Sequence, residues 1–166
     1  FAQQFDRALL DHLCKVADAQ RAATKTREGS LAAADLLPHK RAMLYFVQPS
    51  TRTFLSFQNA CQILGMRTSE IRGTSTSSEV KGESPEDTVR TFSSYVDLII
   101  MRHPAPGFVE KTAWVMNRAN RPVPVVSGGS GKDQHPTQAL LDVYTLARSL
   151  PGGVDDGDLD DRVVGA

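Results

Sequence analysis

Met43-Leu44-Tyr45-Phe46-Val47-Gln48-Pro49-Ser50-Thr51-Arg52-Thr53 joins an apolar run to a polar turn, and a stripe of Phe57, Ala60, Cys61 and Leu64 follows, ending at Gly65. Five apolar residues without alternation suit a strand buried on both faces, while spacings of three and four suit a helix, with Gly65 as its carboxyl cap. The alternation recurs downstream. Asp97 to Met101 follows a helix opened by Ser84-Pro85-Glu86-Asp87, and Val123 to Val126 follows one spanning Phe108 to Arg118. A last helix starts near Pro136, favoured at the first helical position, and runs through Leu140, Leu141, Tyr144 and Leu146 to Leu150, where Pro151-Gly152-Gly153 ends it. Repeated strand–helix units with apolar strands predict an α/β fold, a parallel sheet flanked by helices on both faces, with ligands at the carboxyl ends of the strands.

Upstream, Phe5, Leu9, Leu10, Leu13 and Val16 give Phe5 to Ala23 the stripe of an amphipathic helix. Thr24 to Gly29 breaks it, and Ser30 is expected to cap a short second helix through Leu37, with Pro38 blocking its continuation. The acidic stretch Gly152 to Asp161 has the composition of a surface linker. The residues after it, Arg162-Val163-Val164-Gly165-Ala166, read as a strand just begun. The expected division is therefore one domain over 1–150 and, over 151–166, a linker with the first strand of a second, truncated domain. Phe1 is not an initiator Met, which agrees with a sequence cut from a longer protein.

The 166 residues are 40% hydrophobic and 23% charged, the composition of one ordinary globular domain. Lys plus Arg and Asp plus Glu each total 19, so no net basic field draws nucleic acid or an anionic membrane, and any bound anion must be caught locally. No run reaches the roughly 18 apolar residues of a membrane span. Cys14 and Cys61 stand far apart without a CxxC or Cys/His cluster, which fits a reducing, cytoplasmic compartment, buried apolar roles and no metal.

Pro49-Ser50-Thr51-Arg52-Thr53 brings three hydroxyls and a guanidinium to a helix start, where free N–H groups and the positive dipole end favour an anion. A helix start needs only one capping hydroxyl, so a cap explains one group and leaves three; composition alone does not choose between cap and phosphate cradle. Thr74 to Gly82 is rich in hydroxyls and ends in Lys81-Gly82-Glu83, a pattern that by itself is that of a solvated loop. Arg102-His103-Pro104 follows the strand at 97–101, so either Arg102 or His103 is placed to face the site. Ser127-Gly128-Gly129-Ser130-Gly131-Lys132-Asp133-Gln134 precedes His135-Pro136-Thr137-Gln138 at another helix start. Gly131-Lys132 is not a P-loop, because Val126 stands where the first glycine is required and Asp133 where Ser or Thr is required. His135 alone reads equally as a helix-start residue bonded to a neighbouring loop.

Taken in order, Ser50-Thr51-Arg52-Thr53, Lys81-Gly82-Glu83, Met101-Arg102-His103-Pro104 and His135-Pro136-Thr137-Gln138-Ala139-Leu140-Leu141-Asp142 resemble the aspartate carbamoyltransferase family. Ser-Thr-Arg-Thr and His-Pro-Thr-Gln are common to all transcarbamoylases, including ornithine carbamoyltransferase; Lys-Gly-Glu and Met-Arg-His point to the aspartate branch. The resemblance implies the carbamoyl-phosphate half of a two-domain catalytic subunit, without metal or organic cofactor, that transfers a carbamoyl group to L-aspartate in pyrimidine biosynthesis. It implies a homotrimer with sites shared between subunits, open to regulatory or pathway-enzyme partners. Ser50, Thr51, Arg52 and Thr53 would grip phosphate with Arg102. Thr53, Arg102 and His135 would stabilise the carbonyl oxygen, and Gln138 would hold the carbamoyl amine. Ser77, with Ser75 and Ser78 as alternatives, and Lys81 would reach in from the adjacent subunit.

Two departures accompany the likeness. The family usually has Arg right after Ser-Thr-Arg-Thr and Glu four residues later, whereas this chain has Phe54 and Gln58, read as a structural exchange worth tenths of a kcal/mol if exposed. The arginines that recognise aspartate lie in the family's second domain, so 1–166 by itself is expected to bind carbamoyl phosphate weakly and not to turn over. The rival readings are an ornithine or related carbamoyltransferase, and a noncatalytic phosphate-binding or assembly module.

Overall fold

A computed structural model describes residues 4–73, 85–131 and 134–150. Strands β1 (Arg41–Phe46), β2 (Arg67–Arg72), β3 (Leu98–His103) and β4 (Val125–Ser130) form one parallel sheet in the order β2-β1-β3-β4. The helices are α1 (Arg7–Ala23), α2 (Arg27–Ala34), α3 (Thr51–Ile63), α4 (Pro85–Ser93), α5 (Phe108–Asn117) and α6 (Pro136–Ser149). None of these is long and apolar enough to cross a membrane.

β1 explains why both faces are covered. Ala42, Leu44 and Phe46 point to one side, where Phe54 and Cys61 of α3 meet Ile100 of β3. Met43, Tyr45 and Val47 point to the other, against Val89 and Phe92 of α4 and Phe108, Val109 and Met116 of α5. A strand buried on both faces has no polar alternation to show, which is the pattern of its sequence. Each fully buried side chain of this size contributes roughly 1.5–3 kcal/mol. Cys14 and Cys61 are free and buried, as expected, and burial pushes both thiols above their usual pKa.

The elements α2, β2, β3 and β4 differ from expectation. The second helix is capped by Thr26, whose hydroxyl accepts from the Gly29 N–H at 3.0 Å; Ser30 lies inside the helix and donates back to the Thr26 carbonyl at 2.8 Å. It ends at Ala34, not Leu37. β2 was not foreseen because Arg67-Thr68-Ser69-Glu70-Ile71-Arg72 is polar; as an edge strand paired only to β1, it needs no apolar face to be held. β3 runs to His103 and β4 spans 125–130 rather than 123–126, since the Ile99↔Val125 to His103↔Ser130 ladder carries Ser127-Gly128-Gly129-Ser130 along as strand.

Two ties hold helices in place. At the carboxyl end of α3, Met66 N–H donates to the Cys61 carbonyl at 2.8 Å and Gly65 N–H to that of Gln62 at 3.0 Å, a Schellman cap with Gly65 at φ +77°. The Tyr144 hydroxyl of α6 donates to Asp18 of α1 at 2.7 Å and Arg148 pairs with the same carboxylate. The Tyr144 hydrogen bond and then the Arg148 charge hold Asp18 below the usual carboxylate range.

At Gly65 a Cβ would lie 1.9 Å from the Ala34 carbonyl oxygen as well as adopting a left-handed conformation. Gly65→Ala is therefore expected to destabilise the fold by about 1–3 kcal/mol, read as a lower midpoint in urea; an unchanged midpoint would show that the cap carries no strain.

Candidate active site

The chain leaves β1 for α3 and β2 on one side, then returns past β1 to β3 on the other. The strand order thus reverses between β1 and β3, and a crevice opens outside their carboxyl ends. A cleft of about 880 Å³ occupies this place, lined by Ser50, Arg52 and Thr53 at the start of α3, Arg102 from the end of β3, and His135 and Gln138 at the start of α6.

Ser50 is the N-cap residue of α3 by backbone position, and its carbonyl takes the Phe54 N–H at 3.0 Å, yet its side chain makes no capping bond. The cap explanation for this hydroxyl therefore fails. The first N–H groups of α3 and the positive end of its dipole face the same cleft, a setting that favours an anion.

Arg102 is delivered by the parity of β3. Its neighbour His103 points to the opposite face, where its ring stacks on Phe108 at 4.0 Å and its Nδ1 accepts from the Ala105 N–H at 3.1 Å. Of the two candidates at this strand end, only Arg102 enters the cleft. Its Nη1 donates to the Gly128 carbonyl at 2.9 Å, while its buried Nε has no partner among the described residues. Gly129 permits this placement: it sits at φ +106°, and a Cβ there would come 2.2 Å from Arg102 Nη1. A side chain at 129 would expel the guanidinium.

His135 is the N-cap of α6, its Nδ1 accepting from the Gln138 N–H at 3.3 Å and lying 3.4 Å from the Thr137 hydroxyl. An accepting Nδ1 puts the neutral ring's proton on Nε2, which faces the Thr53 hydroxyl at 3.4 Å. Burial first, then the Arg102 charge, lowers the His135 pKa, so the ring is neutral at physiological pH. Gln138 donates its amide to Asp142 at 2.9 Å, which turns the amide oxygen away from that carboxylate.

Six of the expected residues thus line one cleft, whereas Thr51 begins α3 without appearing in its lining. Ser77 and Lys81, and the alternatives Ser75 and Ser78, lie outside the described residues. Two participants escaped the sequence reading. Thr137 was visible inside His-Pro-Thr-Gln but had no assigned work; the Gly128 carbonyl had no side-chain signal, although the glycine pair marked a close approach. Phe54 is 2% exposed and packs edge-on to Phe46 at 5.3 Å, so the small magnitude expected for an exposed exchange does not apply to it.

A family model described as "Aspartate/ornithine carbamoyltransferase, carbamoyl-P binding domain" matches residues 2–148. The aspartate carbamoyltransferase catalytic subunit of Cellvibrio japonicus is 41% identical over 163 residues, 93% of this chain and 44% of that relative. The multifunctional protein pyrABCN of Emericella nidulans is 44% identical over 147 residues, 89% of this chain but 6% of its own length. Among solved structures, aspartate transcarbamoylase from Trypanosoma cruzi in complex with N-(phosphonacetyl)-L-aspartic acid superposes with a TM-score of 0.79 at 36% identity, covering 93% of this chain and 44% of that one. The chain spans less than half the length of these relatives. With the family pattern matched across almost all of its described sheet and helices, the chain belongs to the aspartate/ornithine carbamoyltransferase family, as its carbamoyl-phosphate-binding domain.

Proposed function

We propose that the protein containing this chain is an aspartate carbamoyltransferase, and that residues 1–150 hold its carbamoyl phosphate. The observation that carries the reading is the convergence, in one cleft at the sheet's switch point, of Arg52, Thr53, Arg102, His135 and Gln138. The names of the aspartate-acting relatives support the choice of aspartate over ornithine.

In this reading the neutral amine of aspartate attacks the carbamoyl carbon. A C–N bond forms, the bond from that carbon to the bridging phosphate oxygen breaks, and the amine's proton passes to the departing phosphate. Negative charge passes through the carbonyl oxygen, so catalysis needs fixed donors and positive potential rather than a base of unusual strength. The Nε2–H of His135 donates to Thr53, which frees the Thr53 hydroxyl proton for the substrate oxygen. Arg102, anchored through Nη1 on Gly128, has Nε and Nη2 left for the same charge or for phosphate. Ser50, Thr51 and Arg52 take the phosphate with the N–H groups of α3, and the Gln138 oxygen accepts from the carbamoyl amine.

The remaining parts belong to the same proposal. It assigns residues 151–166, which like Ser77 and Lys81 lie outside the described residues, to a linker and the first strand of an aspartate-binding domain, and it assigns Ser77 and Lys81 to the site of an adjacent subunit in a homotrimer. Two free, buried thiols agree with a cytoplasmic, reducing setting.

Calorimetric titration of the complete protein is expected to show tighter binding of N-(phosphonacetyl)-L-aspartate than of the ornithine counterpart; the reverse order would sink the aspartate assignment. Mixing inactive Lys81→Ala and Arg52→Ala full-length subunits is expected to restore part of the activity, because one hybrid interface then carries both native residues. No recovery would remove the shared site. His135, by nitrogen-15 NMR, is expected to show the Nε2–H tautomer and a titration midpoint below the ordinary value of about 6.5. Since folding depresses this pKa, its stabilising contribution is whole above about 6.5 and is lost as pH falls through the folded value. An Nδ1–H tautomer would overturn the donor assignment.

A further inference from the structure

α3 carries two neighbouring stripes. Ser50, Thr53, Phe57 and Ala60 line the cleft, whereas Phe54 and Cys61 are buried against the sheet. Successive helical residues are about 100° apart, so the burial of Phe54 is what aims Thr53, one position earlier, at the cleft. Rotating α3 by one residue would turn the cradle away.

The walls around Phe54 come from two strands. Phe46 of β1 meets it edge-on at 5.3 Å and 87°, and the guanidinium of Arg72, from the end of β2, lies 4.3 Å over its ring. Arg72 is itself exposed, so its guanidinium is the lid that separates the ring from water. One turn further along α3, Gln58 Nε2 donates to Glu70 Oε2 at 3.3 Å. The parallel register sets Arg72 beside Phe46 and Glu70 beside Leu44, on the face of the sheet that α3 covers.

A cation, Arg72, and an acid, Glu70, stand directly across the seam from Phe54 and Gln58. We propose that Arg72 is a positioning residue for the phosphate cradle: by closing on Phe54 it fixes the rotation of α3 and so the aim of Ser50, Arg52 and Thr53. Arg72 does not line the cleft and acts through Phe54. The inference rests on the reading of that cleft as a phosphate site.

The test is calorimetric titration of the full-length protein with inorganic phosphate, below the melting temperature of every variant used. Arg72→Gln is expected to weaken phosphate binding about twofold to fivefold, the range of an exposed cation–π contact. Arg72→Lys, which keeps a cation over the ring, is expected to lose less. Arg118→Gln is the control, because it removes a guanidinium lying 3.9 Å over Trp114 at the far end of α5, and it should leave phosphate affinity unchanged. An Arg72→Gln protein that binds as the parent does overturns this proposal alone, as does an equal loss in Arg118→Gln. A parent that binds neither phosphate nor carbamoyl phosphate overturns the reading of the cleft with it.

Discussion

The parallel pairing of β1 with β3 is the constraint on which the site depends. In register, Phe46 lies beside Arg102, and beyond these residues the Val47 and Gln48 N–H groups both reach the Arg102 carbonyl, at 3.0 and 3.3 Å. The cradle that follows β1 and the guanidinium that ends β3 are therefore set side by side by backbone hydrogen bonds, not by contacts between the functional groups themselves. The sheet itself, through its backbone, thus sets the relative position of these two groups.

Around that frame the polar groups orient one another in a chain. Gly128 takes one end of Arg102, Gly129 leaves room for it, and the Arg102 charge helps keep His135 neutral. The Gln138 N–H holds Nδ1 of the same ring, so Nε2 is the donor and Thr53 receives it. Sequence separations here reach 82 residues, between Thr53 and His135, so the arrangement is a product of topology.

The sheet was legible because β1 and β3 are buried on both faces and have no choice but to be apolar; the edge strand β2 was not, because none of its residues is buried and its sequence is free to be polar. Helix starts were legible where one residue could serve as cap, and misplaced at 26–30, where Thr26 and Ser30 both carry suitable hydroxyls and local bonding decided between them. The cleft's side chains could be listed from motifs, but Arg102 and His103 could be told apart only by strand parity at a boundary the sequence set two residues short. The Gly128 carbonyl and the Arg72 lid on Phe54 are relations between elements, which no local pattern records.

The bond from Tyr144 to Asp18 spans 126 residues. A ribosome adding about 5–20 residues each second would leave the Asp18 carboxylate waiting roughly 6–25 seconds for its partner to emerge. During that interval α1 and α2 can pair with each other, but the latch to α6 has nothing to close on. The helix that begins at His135 is also the one that supplies this latch. The same late event that fastens the first helix to the body of the domain thus brings in the last wall of the cleft, so the cleft cannot be complete on the nascent chain until α6 arrives.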